Sequence, residues 1–139
     1  LNCDAETMDF TGSFDLIYSH TTFHHLNVPH VLEKCKNMLA PGGVLYIIDN
    51  VSKRPTPPTL TYIIGAIMEY QGNHQRYGSQ DAKRIFRHSV SSNWLAHLSS
   101  DRYLSEADYH SVYGSILHGC ELIYGGWNMK VIWKNYKSY

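Results

Sequence analysis

The chain has 139 residues, and its 12 basic and 12 acidic side chains give a formal net charge of zero. This length suits one domain, and 43% hydrophobic against 17% charged residues argues against intrinsic disorder. The balanced charge argues against a dedicated nucleic-acid binder, and no apolar run reaches the roughly 18 residues of a membrane helix. Three scattered cysteines without a CxxC motif, and the lack of a basic-then-apolar leader, predict a cytoplasmic protein with reduced thiols.

The first third of the chain predicts a strand, a helix and a second strand. The apolar run 14–19 is typical of a buried strand. Asn27 and Pro29 predict a helix start, and apolar residues follow at helical spacing: Val31, Leu32, Cys35, Met38 and Leu39. Pro41-Gly42-Gly43 predicts a sharp turn, and the unbroken apolar run 44–48 predicts a parallel strand covered on both faces. Together they form a βαβ unit, which is normally right-handed.

The middle of the chain predicts a helical segment after a loop over 51–58. Thr56 is the expected cap of its first helix and Pro57 the expected first residue. We expect Gly72 to end that helix. Its apolar stripe is interpreted as core rather than as a membrane helix: Leu60, Ile63, Ile64, Ile67 and Met68. Two further helices are predicted, near 80–88 and 93–98.

The last part predicts a helix followed by a β-hairpin. Ser105 and Asp108 have the spacing of a capping box, and the helix after them is expected to end at Gly119. The runs 120–124 and 127–133 predict two strands around Gly125-Gly126. The whole pattern predicts an α/β fold with an antiparallel strand at the end. The zero net charge is not evenly distributed: residues 51–88 form a basic segment with six basic and two acidic side chains.

Four segments in this order resemble class I S-adenosylmethionine-dependent methyltransferases of the small-molecule type. They are Cys3-Asp4-Ala5-Glu6, Phe14-Asp15-Leu16-Ile17-Tyr18-Ser19, Phe23-His24-His25-Leu26, and the run from Leu39 through Pro41-Gly42-Gly43 to Asp49. The ending, 104–134, is similar to the last helix and antiparallel strand pair of that family. The insert 51–103 matches no family motif.

The resemblance implies a partial Rossmann-like methyltransferase fold over 1–139, with the helical insert 51–103 in the lid position. Strands 4, 5, 7 and 6 of the family sheet would be present, with only the stub of strand 3 at the start. The glycine-rich motif of the family is missing from this sequence, and the chain begins with Leu1 rather than Met, which suggests a fragment. The strand 14–19 would then be an exposed apolar edge, and such an edge tends to pair with another strand.

The resemblance also implies a binding site for S-adenosylmethionine. Asp4 and Ala5 match the positions that meet the adenine edge, although Asp4 in a turn also suits a local cap of the backbone. Ser19 and His20 follow strand 14–19, and ligands of open parallel sheets bind outside the carboxyl ends of the strands. His20 is either a general base for the acceptor or a hydrogen-bonded wall of the pocket.

Further candidates concern the substrate. The resemblance implies a positioning role for His24 and His25, while Asp49 either meets the substrate or caps the next loop. Tyr70 and Trp94 are candidates for an apolar substrate pocket in the insert. An alternative interpretation of the histidines is a metal-dependent hydrolase. No local cysteine or carboxylate completes a ligand set, so no metal site is predicted.

We therefore expect the parent protein to transfer a methyl group from S-adenosylmethionine to an O, N or C nucleophile of a small molecule. We expect this chain alone to be inactive, with no nucleic-acid or membrane partner. The alternative is a non-catalytic module of the same fold that self-associates, or binds a partner, through strand 14–19.

Overall fold

The computed structural model describes residues 4–8, 12–53 and 58–136. The chain divides into two compact units, one formed by 1–55 with 102–139 and the other by 56–101. In chain order the elements are β1 (Phe14–His20), a 3-10 turn (Phe23–His25), α1 (Val28–Met38), β2 (Leu39–Asn50), α2 (Thr59–Ser89), α3 (Ser92–Ser100), α4 (Glu106–Ile116), β3 (Glu121–Tyr124) and β4 (Asn128–Lys134).

The first unit is built on a four-stranded sheet with the strand order β1-β2-β4-β3. β1 pairs with β2 in parallel, whereas β4 runs antiparallel to both β2 and β3. β1, β2 and β3 therefore all end at the same side of the sheet, which we call the carboxyl edge. The order agrees with the predicted strand set 4-5-7-6, and the mixed fold with a terminal antiparallel strand is confirmed.

The core of this unit lies between the sheet and helices α1 and α4. Val31, Leu32 and Cys35 of α1 are buried, as are Tyr109 and Tyr113 of α4. Inward-facing side chains of β2 and β4 complete the core: Leu45, Ile47, Met129, Val131 and Trp133. Each fully buried aliphatic side chain contributes about 1.5–3 kcal/mol by leaving water, so this layer fixes the positions of the strand ends.

Two local predictions at helix starts are confirmed. The side chain of Asn27 accepts a hydrogen bond from the backbone of His30 at the start of α1. Ser105 and Asp108 form the predicted capping box of α4. Both signals depend only on residues three positions apart, and therefore they could be predicted from the sequence.

The Pro41-Gly42-Gly43 segment lies inside β2, and the prediction that it separates the helix from the strand is wrong. The pairing of β1 with β2 is irregular here, since Phe14 lies opposite Leu39 while Leu16 lies opposite Val44. Gly42 has a φ of 81°. A β-carbon on Gly43 would lie 2.8 Å from the carbonyl oxygen of Phe14, so the close approach of the two strands requires glycine.

The predicted helix end at Gly72 is also wrong. α2 continues from Thr59 to Ser89, and its break lies at Gly78, where φ is 83° and ψ is 169°. A glycine inside a helix costs only about 1 kcal/mol relative to alanine, so Gly72 is tolerated between good helix formers. Gly78 instead adopts a backbone conformation that other residues rarely reach. The predicted helix 80–88 is therefore the second arm of α2.

The apolar stripe of α2 is exposed, and its assignment to the core is wrong. Four members of the stripe are between 47% and 76% exposed: Leu60, Ile64, Ile67 and Met68. The buried residues of α2 are two alanines, Ala66 in the first arm and Ala82 in the second. Helical periodicity shows that one face is apolar, but whether that face is covered is decided by tertiary packing. Among the described residues, no helix combines the length and apolar content needed to cross a membrane.

Some sequence predictions fall outside the described residues. These are the expected strand stub at the start of the chain, Cys3, and the proposed cap and first residue Thr56 and Pro57. The predicted helix 93–98 is confirmed as α3, and the predicted hairpin is confirmed as β3 and β4.

Candidate functional site

A buried histidine–aspartate pair connects the ends of two neighbouring strands. Asp49 lies near the end of β2 and is 1% exposed. Its Oδ1 is 2.6 Å from Nδ1 of His24, and its Oδ2 accepts the backbone N–H of His24 at 2.7 Å. The backbone N–H of Asn50 also donates to Oδ1, at 2.9 Å. Because an ionised carboxylate only accepts hydrogen bonds, this arrangement places the proton of the His24 ring on Nδ1.

The carboxylate of Asp49 therefore positions His24 by binding both the backbone N–H and the ring of that residue. The His24 side chain is 5% exposed. It lies in the 3-10 turn that follows β1, with the ring of His25 at 4.0 Å and that of Tyr103 at 5.0 Å between centroids. Of the two alternatives for Asp49, the geometry favours a structural acceptor over direct contact with substrate, because three protein donors already occupy its oxygens.

The second feature is strained backbone beside His20 at the end of β1. Thr21 has a φ of 55°, which is unusual for a β-branched residue. Its backbone N–H donates to the carbonyl oxygen of Ile48 at 2.8 Å, and its hydroxyl lies 2.8 Å from Nδ1 of His20. Thr22 in turn donates its hydroxyl to the carbonyl oxygen of His20. The strained backbone thus places a hydroxyl on one ring nitrogen of an exposed histidine at the carboxyl edge.

A turn over residues 4–8 lies against the first half of α1. The side chain of Asp4 accepts the backbone N–H of Glu6 at 2.7 Å through Oδ1, which is the local turn arrangement. The carbonyl oxygen of Glu6 accepts from Lys34 at 2.9 Å and lies 3.1 Å from Nε2 of His30. Its carboxylate accepts the backbone N–H of Asn27. These contacts hold Asp4 and the half-buried Ala5 at the end of α1 that lies beside the carboxyl edge.

A cavity of about 700 Å³ opens at the carboxyl edge of the first unit. It lies between the end of β2, the start of α4 and the hairpin of β3 and β4. Its lining is mixed in character: Val51, Ser52, Lys53, Ser105, Glu106, Ala107, His110, Tyr124 and Gly126. No sequence motif predicted this cavity, because its walls come from three segments that are distant along the chain.

The two substrate candidates of the insert contact different cavities. Tyr70 packs edge-on against Phe86 with 5.7 Å between ring centroids. Trp94 lies between the rings of His88 and His97, at 4.9 and 5.1 Å. Tyr70 lines a groove with Ile67 and Phe86, while Trp94 lines a separate cavity of the same unit.

Two buried tyrosines lie behind the histidine–aspartate pair. Burial raises the pKa of Tyr109, and the negative charge of Asp49 raises it further. The pKa of Tyr113 is raised in the same direction, again chiefly by burial. The Tyr109 hydroxyl donates to the carbonyl oxygen of Asn50 at 3.1 Å. Both phenols therefore stay neutral, and Tyr109 supports the end of β2 rather than acting as a base.

Comparison with known proteins bears on this edge of the sheet. Residues 1–47 match a family model described as a methyltransferase domain, and this segment contains His20 and His24. The chain also matches the solved structure of a candidate O-methyltransferase from Nostoc punctiforme PCC 73102 with a TM-score of 0.52 and 17% identity. That match covers 96% of this chain and 35% of the other. The predicted resemblance to class I S-adenosylmethionine-dependent methyltransferases is confirmed.

Other comparisons are more distant. The N-methyltransferase NodS of Bradyrhizobium japonicum WM9 is 14% identical, with a TM-score of 0.42 over 97% of this chain and 58% of the other. A candidate methyltransferase of Bacillus halodurans C-125 is 12% identical, with a TM-score of 0.41 over 98% and 70%. The comparison with curated proteins gave no match. This partial methyltransferase fold thus spans about a third of the length of its Nostoc neighbour.

The structure brings together part of the predicted site. His20, His24 and Asp49 lie at the carboxyl edge, and Ser19 is half-buried in β1 opposite Ile47. The sequence named His24 and Asp49 but did not predict that they pair. The sequence did contain a usable signal. His24 follows the first of two parallel strands and Asp49 lies near the end of the second, and the carboxyl ends of parallel strands meet at one edge of a sheet.

Proposed function

We propose that the protein to which this chain belongs transfers the methyl group of S-adenosylmethionine to an O, N or C nucleophile of a small molecule. The observation that carries the proposal is the buried pair of His24 and Asp49 at the carboxyl edge, next to the exposed ring of His20. In open parallel sheets this edge is where ligands bind. The match of residues 1–47 to a methyltransferase domain supports the same assignment.

The residues present fit one end of the cofactor. Asp4 uses Oδ1 for its turn, and within the described residues its Oδ2 makes no hydrogen bond, so it can still accept one from an adenine amino group. The backbone of Ala5 would donate to the adenine ring, and Ser19 with His20 would border the methionine part. When bound, S-adenosylmethionine supplies an electrophilic methyl group on a sulfonium.

His20 is the proposed general base. If its Nδ1 donates to the Thr21 hydroxyl, Nε2 carries a lone pair that can accept a proton. A nucleophile held there would lose its proton to Nε2 as the methyl group is transferred. His24 and Asp49 are proposed as positioning residues, which fix the turn that carries the site and keep its geometry constant.

The role of Thr21 can be tested without knowledge of the cofactor site. Thr21→Gly removes the strain and the hydroxyl together, whereas Thr21→Ser retains the hydroxyl. If the hydroxyl orients His20, NMR titration will show a changed tautomer balance of His20 in the glycine variant and little change in the serine variant. Equal spectra for both variants would remove the argument for an oriented base.

We further propose that this chain alone does not catalyse methyl transfer. In the described residues the sheet ends at β1, so we infer that it forms only one side of a cofactor site. The test is calorimetric titration of the 139-residue chain with S-adenosylhomocysteine, with the oligomeric state measured on the same sample. We expect no saturable binding by the folded chain, and saturable binding by a longer polypeptide in which a glycine-rich segment precedes this sequence. Binding of one ligand per isolated chain would contradict the inactivity proposal. Absence of binding in both proteins would contradict methyl transfer.

The second candidate is a non-catalytic module, and the exposed strand β1 favours it. Leu16 and Tyr18 are 59% and 56% exposed, and β1 is an edge strand in the described sheet. An edge of this kind offers unpaired backbone groups to another strand. A dimer that Leu16→Lys converts to a monomer would support this function. A monomer that binds S-adenosylhomocysteine would exclude it.

A further inference from the structure

The kinked helix α2 forms a groove within the second unit that no family motif covers. Gly78 breaks the helix, so its first arm carries Ile67 and Tyr70 and its second arm carries Lys83, Phe86 and Arg87. These five residues line a groove of about 370 Å³. This volume falls within the range of pockets that bind small molecules.

The floor of the groove is apolar and partly aromatic. The rings of Tyr70 and Phe86 meet at an interplanar angle of 78°, with 5.7 Å between their centroids. Both side chains are half-buried, and Ile67 beside them is 58% exposed. Aromatic rings in this edge-on geometry present both a face and an edge to a third ring. The floor therefore suits a flat apolar group.

The rim of the groove carries two cations and no acid. Lys83 and Arg87 are four residues apart on the second arm, so they lie on one helix face. Within the described residues, neither makes an ion pair with an acidic side chain. The neighbouring Arg84 differs, because it pairs with Asp81 at 3.6 Å and lines another groove.

Helix stability alone does not account for both cations. Arg87 lies in the last turn of α2, where a positive charge interacts favourably with the helix dipole. Lys83 lies one turn earlier, and two like charges at this spacing slightly destabilise a helix. An anion placed between them would relieve that repulsion, and the apolar floor would bury the rest of the same molecule.

We propose that this groove binds a small aromatic carboxylate. The ring would lie against Tyr70 and Phe86, and the carboxylate would accept hydrogen bonds from Lys83 and Arg87. Arg offers two parallel donors to a carboxylate, which fixes the orientation of the ligand. The site lies wholly within 56–101, so it does not depend on methyl transfer at the carboxyl edge.

The test uses naphthalene-2-carboxylate as the probe and the neutral 2-naphthamide as its matched control. Binding to the complete 139-residue chain is followed by amide chemical-shift changes in NMR spectra. We expect saturable binding of one carboxylate per chain, with the largest shifts around Ile67, Tyr70 and Phe86. The amide should bind about fivefold more weakly, because it lacks the charge that the two cations recognise.

Single substitutions test whether Lys83 and Arg87 bind the carboxylate of the probe. Lys83→Gln and Arg87→Gln should each weaken binding of the carboxylate about fivefold, whereas Arg84→Gln should change it less than twofold. All three positions are exposed, and unchanged helical circular dichroism will show that the variants remain folded. Equal loss in all three variants would reveal general charge attraction and overturn the proposal. The comparison of acid with amide needs no variant, and equal affinity for the two would overturn it as well.

A membrane surface is the competing occupant, since Leu60, Ile64 and Met68 are exposed on the first arm. Vesicles of phosphatidylcholine with phosphatidylglycerol will distinguish binding to a membrane from binding of the soluble carboxylate. Sedimentation of the chain with these vesicles, together with no saturable binding of the carboxylate, would replace the proposed site by an interfacial one. Binding of the soluble probe without sedimentation would support the proposal.

Discussion

Replacement of Asp49 by Asn should destabilise the chain, because at least one backbone N–H loses its acceptor. The carboxylate accepts three hydrogen bonds, from the ring and the backbone of His24 and from the backbone of Asn50. An amide has a single acceptor oxygen. In one orientation its NH₂ group faces the backbone N–H of His24, and in the other it faces that of Asn50. The first orientation leaves the backbone N–H of His24 without an acceptor. The second removes the acceptor of both the backbone N–H of Asn50 and the ring Nδ1–H of His24, so at least one N–H is unpaired in either case.

The expected cost follows from this count. A buried donor without a partner costs about 1–3 kcal/mol. Asp49→Ala removes all three acceptor contacts from a site that is 1% exposed, so it should cost more than Asp49→Asn. The free energy of unfolding of a small domain is only about 5–15 kcal/mol, so both changes are large.

The assay is urea unfolding of the complete chain, followed by fluorescence and circular dichroism. With a denaturant slope of about 2 kcal/mol per M, Asp49→Asn should lower the midpoint by about 1 M. Asp15→Asn is the matched control, because Asp15 is an exposed aspartate on β1. It should change stability by less than about 0.5 kcal/mol. If Asp49→Asn is as stable as Asp15→Asn, Asp49 does not hold these donors and the reasoning about the site fails.

The remaining predictions concern two glycines, the cap of α4 and the buried thiol. Gly43→Ala should destabilise the chain by about 1–3 kcal/mol, because its β-carbon would lie within 2.9 Å of two backbone oxygens. Gly114→Ala in α4 is the control, since its β-carbon would meet no other atom. It should stabilise the chain by up to about 1 kcal/mol in the same urea assay. Ser105 donates to the carboxylate of Asp108 and lowers its pKa, so this pairing adds stability above the unfolded pKa and loses it as the pH falls through the folded one. Ser105→Ala should lower the Tm and raise the pKa of Asp108 in a carbon-13 NMR titration. Burial raises the pKa of Cys35 from 9.0 to about 11, so stability should fall as the pH rises from about 9 towards 11, and alkylation of Cys35 at pH 9 should be slower in the folded chain than in urea.

Predictions from local spacing were confirmed because they depend on neighbours along the chain. The capping box needs only Ser105 and Asp108, three residues apart. The strand 14–19 and the helix after Asn27 depend on short runs and on a cap beside them. The burial that the apolar run suggested for this strand is wrong, since Leu16 and Tyr18 are 59% and 56% exposed at the edge of the described sheet. Two glycines of α2 show the limit of such signals. Gly72 and Gly78 are the same residue type, and only the backbone conformation that the fold imposes tells them apart.

The amino-acid sequence by itself determined the order of the elements, the parallel strand pair and the resemblance to methyltransferases. These properties depend on apolar periodicity and on motifs that lie within short segments. The tertiary structure alone decided the partner of His24, because Asp49 is 25 residues away and reaches it only when β1 and β2 pair in register. It also decided that the stripe of α2 is exposed. A residue pattern specifies which faces are apolar, but burial depends on which other surfaces the folded chain places against them.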